Sequence, residues 1–226
     1  MRKPIAKALH SFGDNRMQRG GKLFEYSNPE RIKSHIFSQE QYFFSEEEVY
    51  ALVKNQTAVS ITEEVVSKNR KLTAIEKQSF FDLKNYLPEE LLVKTDRASM
   101  QYSLEVRVPL LDHRLVEFAI NLSPKLKLNG QTGKYLLKQL LYDYVPESFF
   151  ERPKWGFALP LSIWLKKELR YLPEKYLSKQ TIEECNLVHY EIADNIVKEY
   201  FAGKNYLFNK VWALILLHKW YKEKHL

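Results

Sequence analysis

The sequence predicts an all-α, mainly helical chain. Apolar residues recur at three- and four-residue spacing in one segment after another, as a helix with one buried stripe requires. Two segments open on a capping-box pattern, Ser45 with Glu48 and Thr73 with Glu76, which satisfies the first free amides of a helix. Two stretches read as extended. In one, Val106, Val108 and Leu110 alternate with Glu105, Arg107 and Pro109; the other is a small turn, with a two-strand ribbon, around Leu126, Leu128 and Asn129-Gly130.

Taken in order, residues 1–27 predict a short basic helix and a polar loop, with Gly20-Gly21 as a flexible spot. Asn28-Pro29-Glu30 reads as the cap and first turn of a helix to about Phe37. Ser45 opens a helix through Val53, and another is expected from about Thr62 to Lys68. After Thr73, an apolar stripe of Ile75, Phe80, Phe81 and Leu83 runs towards Tyr86 as core. Pro88 suits a first turn, with Glu89 and Glu90 at the positive end and the pattern continuing through Leu91, Leu92, Thr95 and Met100. Asp112 is a candidate N-cap for a helix with Leu115, Phe118, Ala119 and Leu122 on its inner face. Thr132 is a candidate cap for a helix to Tyr144, with Leu136, Leu137, Leu140 and Leu141 inward. Pro146 starts one more turn, and Pro160 opens an amphipathic helix through Ile163, Trp164 and Leu169. Ile192, Ile196, Val197 and Tyr200 share a face. The strongly apolar segment Asn209 to Lys222 is expected to pack against the core from outside.

Composition bounds the function. The 226 residues are 45% hydrophobic and 28% charged, which is ordinary for a soluble globular chain of one or two domains. No apolar run reaches the roughly eighteen residues of a membrane span, and the first residues carry no secretory pattern; the expectation is a cytoplasmic protein without a membrane partner. A single cysteine, Cys185, excludes an internal disulfide and a cysteine-based zinc site. The net charge of +7 suits an anionic small substrate, whereas lysines and arginines scattered among acids argue against nucleic acid. A basic helical binding module without catalysis remains the reading from a different class. Only seven glycines occur, and none forms a glycine-rich loop after a strand, so the chain shows no phosphate cradle of the usual types. His113 reads as a cap or surface residue, and His189, His218 and His225 lack metal-like partners in the sequence.

The candidate chemistry gathers in two places. Asp96, Arg97, Glu105, Arg107 and Asp112 sit inside an otherwise apolar run, where a charge is expensive unless it is paired. They could be ion pairs and caps that fix a helix crossing, or groups that face a substrate; spacing leaves both open. In Arg152-Pro153-Lys154-Trp155-Gly156-Phe157, a lysine held between a proline and a tryptophan loses freedom. A compact ammonium so fixed suits negative charge that builds on oxygen.

Three segments carry a family resemblance: YLPEELLVKTDRASMQYSLEVRVPLLDHRLVEFA from Tyr86, GKYLLKQLL from Gly133 and RPKWGFALPLSIWL from Arg152. In this order they resemble glutamine-hydrolysing asparagine synthetases. The resemblance implies the C-terminal portion of an α/β adenine-nucleotide α-hydrolase-like synthetase domain, lacking its nucleotide-binding sheet. Residues 1–226 would then be one helical region, weakly matched over 1–85, motif-bearing over 86–170, with a helical tail at 171–226. The implied reaction converts aspartate to asparagine through a β-aspartyl-adenylate, with ATP and Mg²⁺, using ammonia released from glutamine. The implied catalytic residues are Lys154 and Glu105, with Asp96, Arg97 and Arg107 supporting or facing substrate. Related proteins amidate other carboxylates, including sugar acids. The family's two nucleotide loops, Ser-Gly-Gly-x-Asp-Ser and Ser-x-Gly-x-Asp-Glu, do not occur in this sequence, nor does an N-terminal cysteine nucleophile. The chain alone is therefore expected to be inactive, and a separate chain carrying the nucleotide loops is an implied partner.

Overall fold

The computed structural model describes residues 2–11, 15–26, 29–41, 43–55, 71–150 and 159–225. Its elements are helical apart from one short ribbon. In order they are α1 (Arg2–His10), α2 (Asn15–Lys22), α3 (Ile32–Glu40), α4 (Glu46–Leu52), α5 (Ala74–Phe81), α6 (Val93–Met100), α7 (His113–Asn121), α8 (Pro124–Lys127), β1 (Leu128–Asn129), β2 (Thr132–Gly133), α9 (Tyr135–Tyr142), α10 (Leu161–Trp164), α11 (Tyr171–Tyr176), α12 (Lys179–Cys185), α13 (Tyr190–Phe201) and α14 (Phe208–His225). The mainly helical prediction holds. The helix expected over 62–68 lies outside the described residues.

The chain divides into two compact units, one of Met1–Glu63 with Ala158–Leu226 and one of Glu64–Phe157. In the first, α14 is the centre. Its Val211, Leu214, Ile215 and His218 are buried, and it packs against α10, α11, α12 and α13. Twelve buried apolar side chains form one cluster, including Leu165, Ile182, Val188, Tyr200 and Leu207. The expectation that this last helix would cover the core from outside is met on one side only: Leu216, Leu217 and Trp220 stay partly exposed, while the opposite face supplies core side chains. Backbone pairing ties the early residues to the tail: Val53 bridges Val188, and the His189 amide donates to the Leu52 carbonyl at 2.8 Å. The Tyr200 hydroxyl donates to the Ser162 carbonyl at 2.5 Å. Near the N-terminus two helices, not one, lie against each other, and Gly20-Gly21 is helical within α2 rather than a loop.

Local chemistry explains most helix starts. Both capping boxes form, with Ser45 and Glu48 opening α4 and Thr73 and Glu76 opening α5. Asp112 caps α7 by accepting the Arg114 amide at 3.0 Å. The ribbon pairs Leu128 with Gly133 and Asn129 with Thr132, and Gly130 supplies the positive φ of +59° that the turn needs. Thr132 consequently does not cap α9. Its backbone belongs to the ribbon, and α9 opens instead at Lys134, held in the left-handed region with φ +57°.

Pro88 also departs from expectation. It lies within Asp82–Leu92, a segment of wide, π-type turns that joins α5 to α6 without a break. Proline has no amide to donate and crowds the carbonyl four residues back, so wider turns accommodate it inside the helix. After Pro160, regular helix lasts only through Trp164, and looser turns carry the chain to α11.

Candidate functional site

The candidate residues Asp96, Arg97, Glu105 and Arg107 lie in the second unit, whereas the described part of the segment from Arg152, Leu159 to Leu165, belongs to the first. Asp96 and Arg97 sit on α6, while Glu105 and Arg107 sit on the extended link that follows. The link starts from a turn that sequence reading did not single out. Ser103 takes a left-handed φ of +56°. Its amide donates to the Met100 carbonyl, and the Leu104 amide reaches back to Ser99. That pair of bonds is a Schellman motif, which ends a helix and redirects the chain. Glycine normally marks such a turn, and here a serine stands in its place, so the usual signal was missing.

Charge pairing in this region is local. The Arg107 guanidinium grips Glu105 through Nε at 2.7 Å and Nη2 at 2.5 Å. Asp96 and Arg97 approach to 3.9 Å. Arg114 forks onto the two Asp112 oxygens, both at 3.0 Å, and holds that carboxyl below its ordinary value of 3.8. The side chains of Glu105 and Arg107 are 68% and 86% exposed, and those of Asp96 and Arg97 are 65% and 82% exposed. The apolar run around these charges does not bury them. They stand in water, where ion pairs contribute little to stability.

Exposure changes what the cluster can do. A carboxylate and guanidinium paired through one oxygen at the surface keep other donors and acceptors free for a substrate that arrives there. They lack the dry walls that make such groups strong. Lys154 lies outside the described residues, as does the rest of residues 151–158. Among the described residues, no group of three or more His, Cys, Asp or Glu could hold a metal ion.

The same unit carries an apolar groove of about 600 Å³. Leu110, Leu115, Phe118, Leu137 and Leu140 line it and keep roughly half or more of their surface exposed. The inward faces expected on α7 and α9 are thus open within the described structure. Among the described residues of this unit only Leu72, Glu76 and Phe81 are buried.

These sequence and structural features can be placed among known proteins. The chain matches the asparagine synthase family over residues 7–222. It belongs to that family. Asparagine synthetase [glutamine-hydrolyzing] 1 of Bacillus subtilis (strain 168) is 26% identical over 161 residues, covering 71% of this chain and 25% of its own length. Asparagine synthetase [glutamine-hydrolyzing] 3 of the same organism is 42% identical over 64 residues, 28% of this chain and 10% of its own. Amidase chyE of Penicillium rubens is 26% identical over 129 residues, covering 54% of this chain and 19% of its own. No solved structure matches the chain. The chain thus spans about a quarter of the length of the first of these asparagine synthetases, and the family match reaches well beyond the three motifs into both ends. Among the described residues no helix is long and apolar enough to cross a membrane.

Proposed function

We propose that this asparagine synthase family chain is one part of an ATP-dependent amide ligase that converts aspartate to asparagine. The reaction passes through a β-aspartyl-adenylate and uses ammonia released from glutamine. The observation that carries the reading is the family match over residues 7–222, together with the motif segments at Tyr86, Gly133 and Arg152. Lys154 and Glu105 are the proposed catalytic residues, and Asp96, Arg97 and Arg107 support them or face substrate.

Each role follows from chemistry at a named atom. The Lys154 ammonium offsets negative charge that develops on the substrate oxygens. The Glu105 Oε1 accepts a hydrogen bond from Arg107 Nε and lies in an ion pair with its Nη2, which fixes the carboxylate's orientation on the link, and its Oε2 is left for another donor. Mg²⁺ and the nucleotide phosphates are assigned to residues outside this chain, because both nucleotide loops are absent from its sequence. The proposed compartment is the cytoplasm. A second reading keeps the chemistry and changes the acceptor to another carboxylate, such as a sugar acid. The similarity to an amidase as well as to asparagine synthetases favours keeping it in view.

The test measures asparagine from aspartate, ammonia and ATP with Mg²⁺. This chain alone is expected to give none, and addition of a polypeptide carrying the two nucleotide loops is expected to start turnover. In that mixture Lys154→Ala should lower the rate by at least about a hundredfold, the scale for losing one charge-stabilising group. Turnover by this chain alone, or a near-normal rate in the variant, would overturn the assignment.

A further inference from the structure

We infer that the helical hairpin of α1 and α2 is a docking surface for an anionic lipid bilayer. The inference stands apart from the ligase reading, since it uses neither Lys154 nor the link that bears Glu105. Charge comes first. Residues 1–26 hold Arg2, Lys3, Lys7, Arg16, Arg19 and Lys22 against Asp14 and Glu25. That is +4 of the chain's net +7, so the other two hundred residues share only +3. Three of the six cations fall on α1 and three on α2. A cluster of roughly four to eight lysines and arginines on surface helices is what an anionic headgroup layer attracts. Elsewhere in the chain, basic residues are diluted by acids and no field of this strength arises.

Geometry puts apolar side chains among those charges. Only four residues separate α1 from α2, which makes the two helices antiparallel neighbours. Ala6 is buried, and a side chain at Gly20 would meet Leu9 Cδ1 at 3.8 Å, so the helices touch along that seam. Ile5 lies one turn before Leu9, and Leu23 and Phe24 lie one turn after Gly20; in an antiparallel pair they come to the same end. They keep 44%, 37% and 38% of their surface exposed, and Lys7 is exposed as well. This end is fixed to the rest of its unit. His35 Nε2 donates to the Lys22 carbonyl at 2.9 Å, and Lys22 Nζ stands 3.4 Å from Glu48. Exposed aliphatic and aromatic groups among cations suit a helix lying in a headgroup layer. They also decide between anionic partners. A nucleic acid would meet the charge and could stack on Phe24, but it gives Ile5 and Leu23 nothing apolar to enter. The acyl boundary takes all three. The expectation of a chain without a membrane partner rests on the lack of a spanning segment, which a helix on the surface does not need.

The experiment sediments the full 226-residue chain with vesicles of phosphatidylcholine alone or of phosphatidylcholine mixed with phosphatidylserine. Binding is expected to the mixed vesicles and not to the neutral ones, and it should be lost at about 1 M salt, which screens charge beyond about 3 Å. Lys7→Ala should weaken it about fivefold, the scale of one basic residue near such a surface, while Lys7→Arg should bind as wild type. Lys7 is exposed, so neither change disturbs packing. Ile5→Ser should also weaken binding, although it leaves the charge untouched. Lys94→Ala, on the exposed surface of α6, should have no effect. A parallel titration uses single-stranded and duplex oligonucleotides. The inference is overturned if the mixed vesicles are not bound or the neutral ones are bound equally well. It fails too if Lys94→Ala costs as much as Lys7→Ala, because net charge alone would then drive association. An oligonucleotide bound more tightly than the vesicles, with Ile5→Ser unaffected, would assign the hairpin to nucleic acid instead.

Discussion

The buried ammonium of Lys210 gives the sharpest stability prediction. It lies on α14 with only 6% of its side chain exposed, and it donates to both oxygens of Glu48 on α4, at 2.5 and 2.6 Å. Burial pushes its pKa down and the charge of Lys22 adds to that, while Glu48 pulls it back. Glu48→Gln keeps the shape and removes the charge, which strands a buried cation. Breaking a fully buried pair costs about 3–5 kcal/mol. Glu48 is 37% exposed, so water reaches the site, and the low end of that range, about 3 kcal/mol, is expected. Lys210→Met removes the buried charge itself and leaves Glu48 with solvent and with Lys22 at 3.4 Å; its expected cost is within about 1 kcal/mol. Urea unfolding followed by tryptophan fluorescence checks both, since Trp164, Trp212 and Trp220 all lie in this unit. Burial alone would raise the Glu48 carboxyl, but bonds and charge from Lys210 hold it below 4.5. A depressed carboxylate contributes stability that is present above its unfolded value and lost as pH falls through the folded one. The gap between wild type and Glu48→Gln should therefore close below about pH 4.5. A Lys210→Met variant less stable than Glu48→Gln, or a gap that persists in acid, would refute the reasoning.

Two further predictions rest on single side chains. His218 is fully buried, its Nδ1 donates to the Leu214 carbonyl at 2.8 Å, and its Nε2 has no partner; burial holds its pKa below 6.5. The folded state thus keeps a neutral ring while the unfolded state gains a proton, so stability is lost as pH falls below 6.5. His218→Leu should abolish that loss, which thermal unfolding at pH 7 and pH 5.5 would show. Ser103→Gly relieves the left-handed strain at φ +56° and should stabilise the second unit by about 1 kcal/mol, read as a higher thermal midpoint by circular dichroism.

How much of the fold the sequence shows depends on how far apart the deciding atoms are. The caps at Ser45, Thr73 and Asp112 were legible because donor and acceptor lie within three residues. The Asn129-Gly130 turn was legible for the same reason. Thr132 was misread because two local rules competed for it, and pairing with Asn129 prevailed over capping. Lys210 and His218 look like interruptions of an apolar helix. They are among its most buried residues because Glu48, 162 positions away, takes the one charge and the Leu214 carbonyl takes the other ring. No pattern along α14 could show that Glu48 would be there.

The candidate site divides along the same line. Residue types and motif order pointed to the family, and the match over residues 7–222 bears that out. The apolar run around the charges did not show that the Glu105–Arg107 pair would stand exposed. Periodicity specifies which residues share a face and is silent on what covers it. Leu115 and Phe118 on α7, with Leu137 and Leu140 on α9, keep core-like patterning while standing half exposed. Patterning of that kind on a soluble surface is a cost unless something covers it.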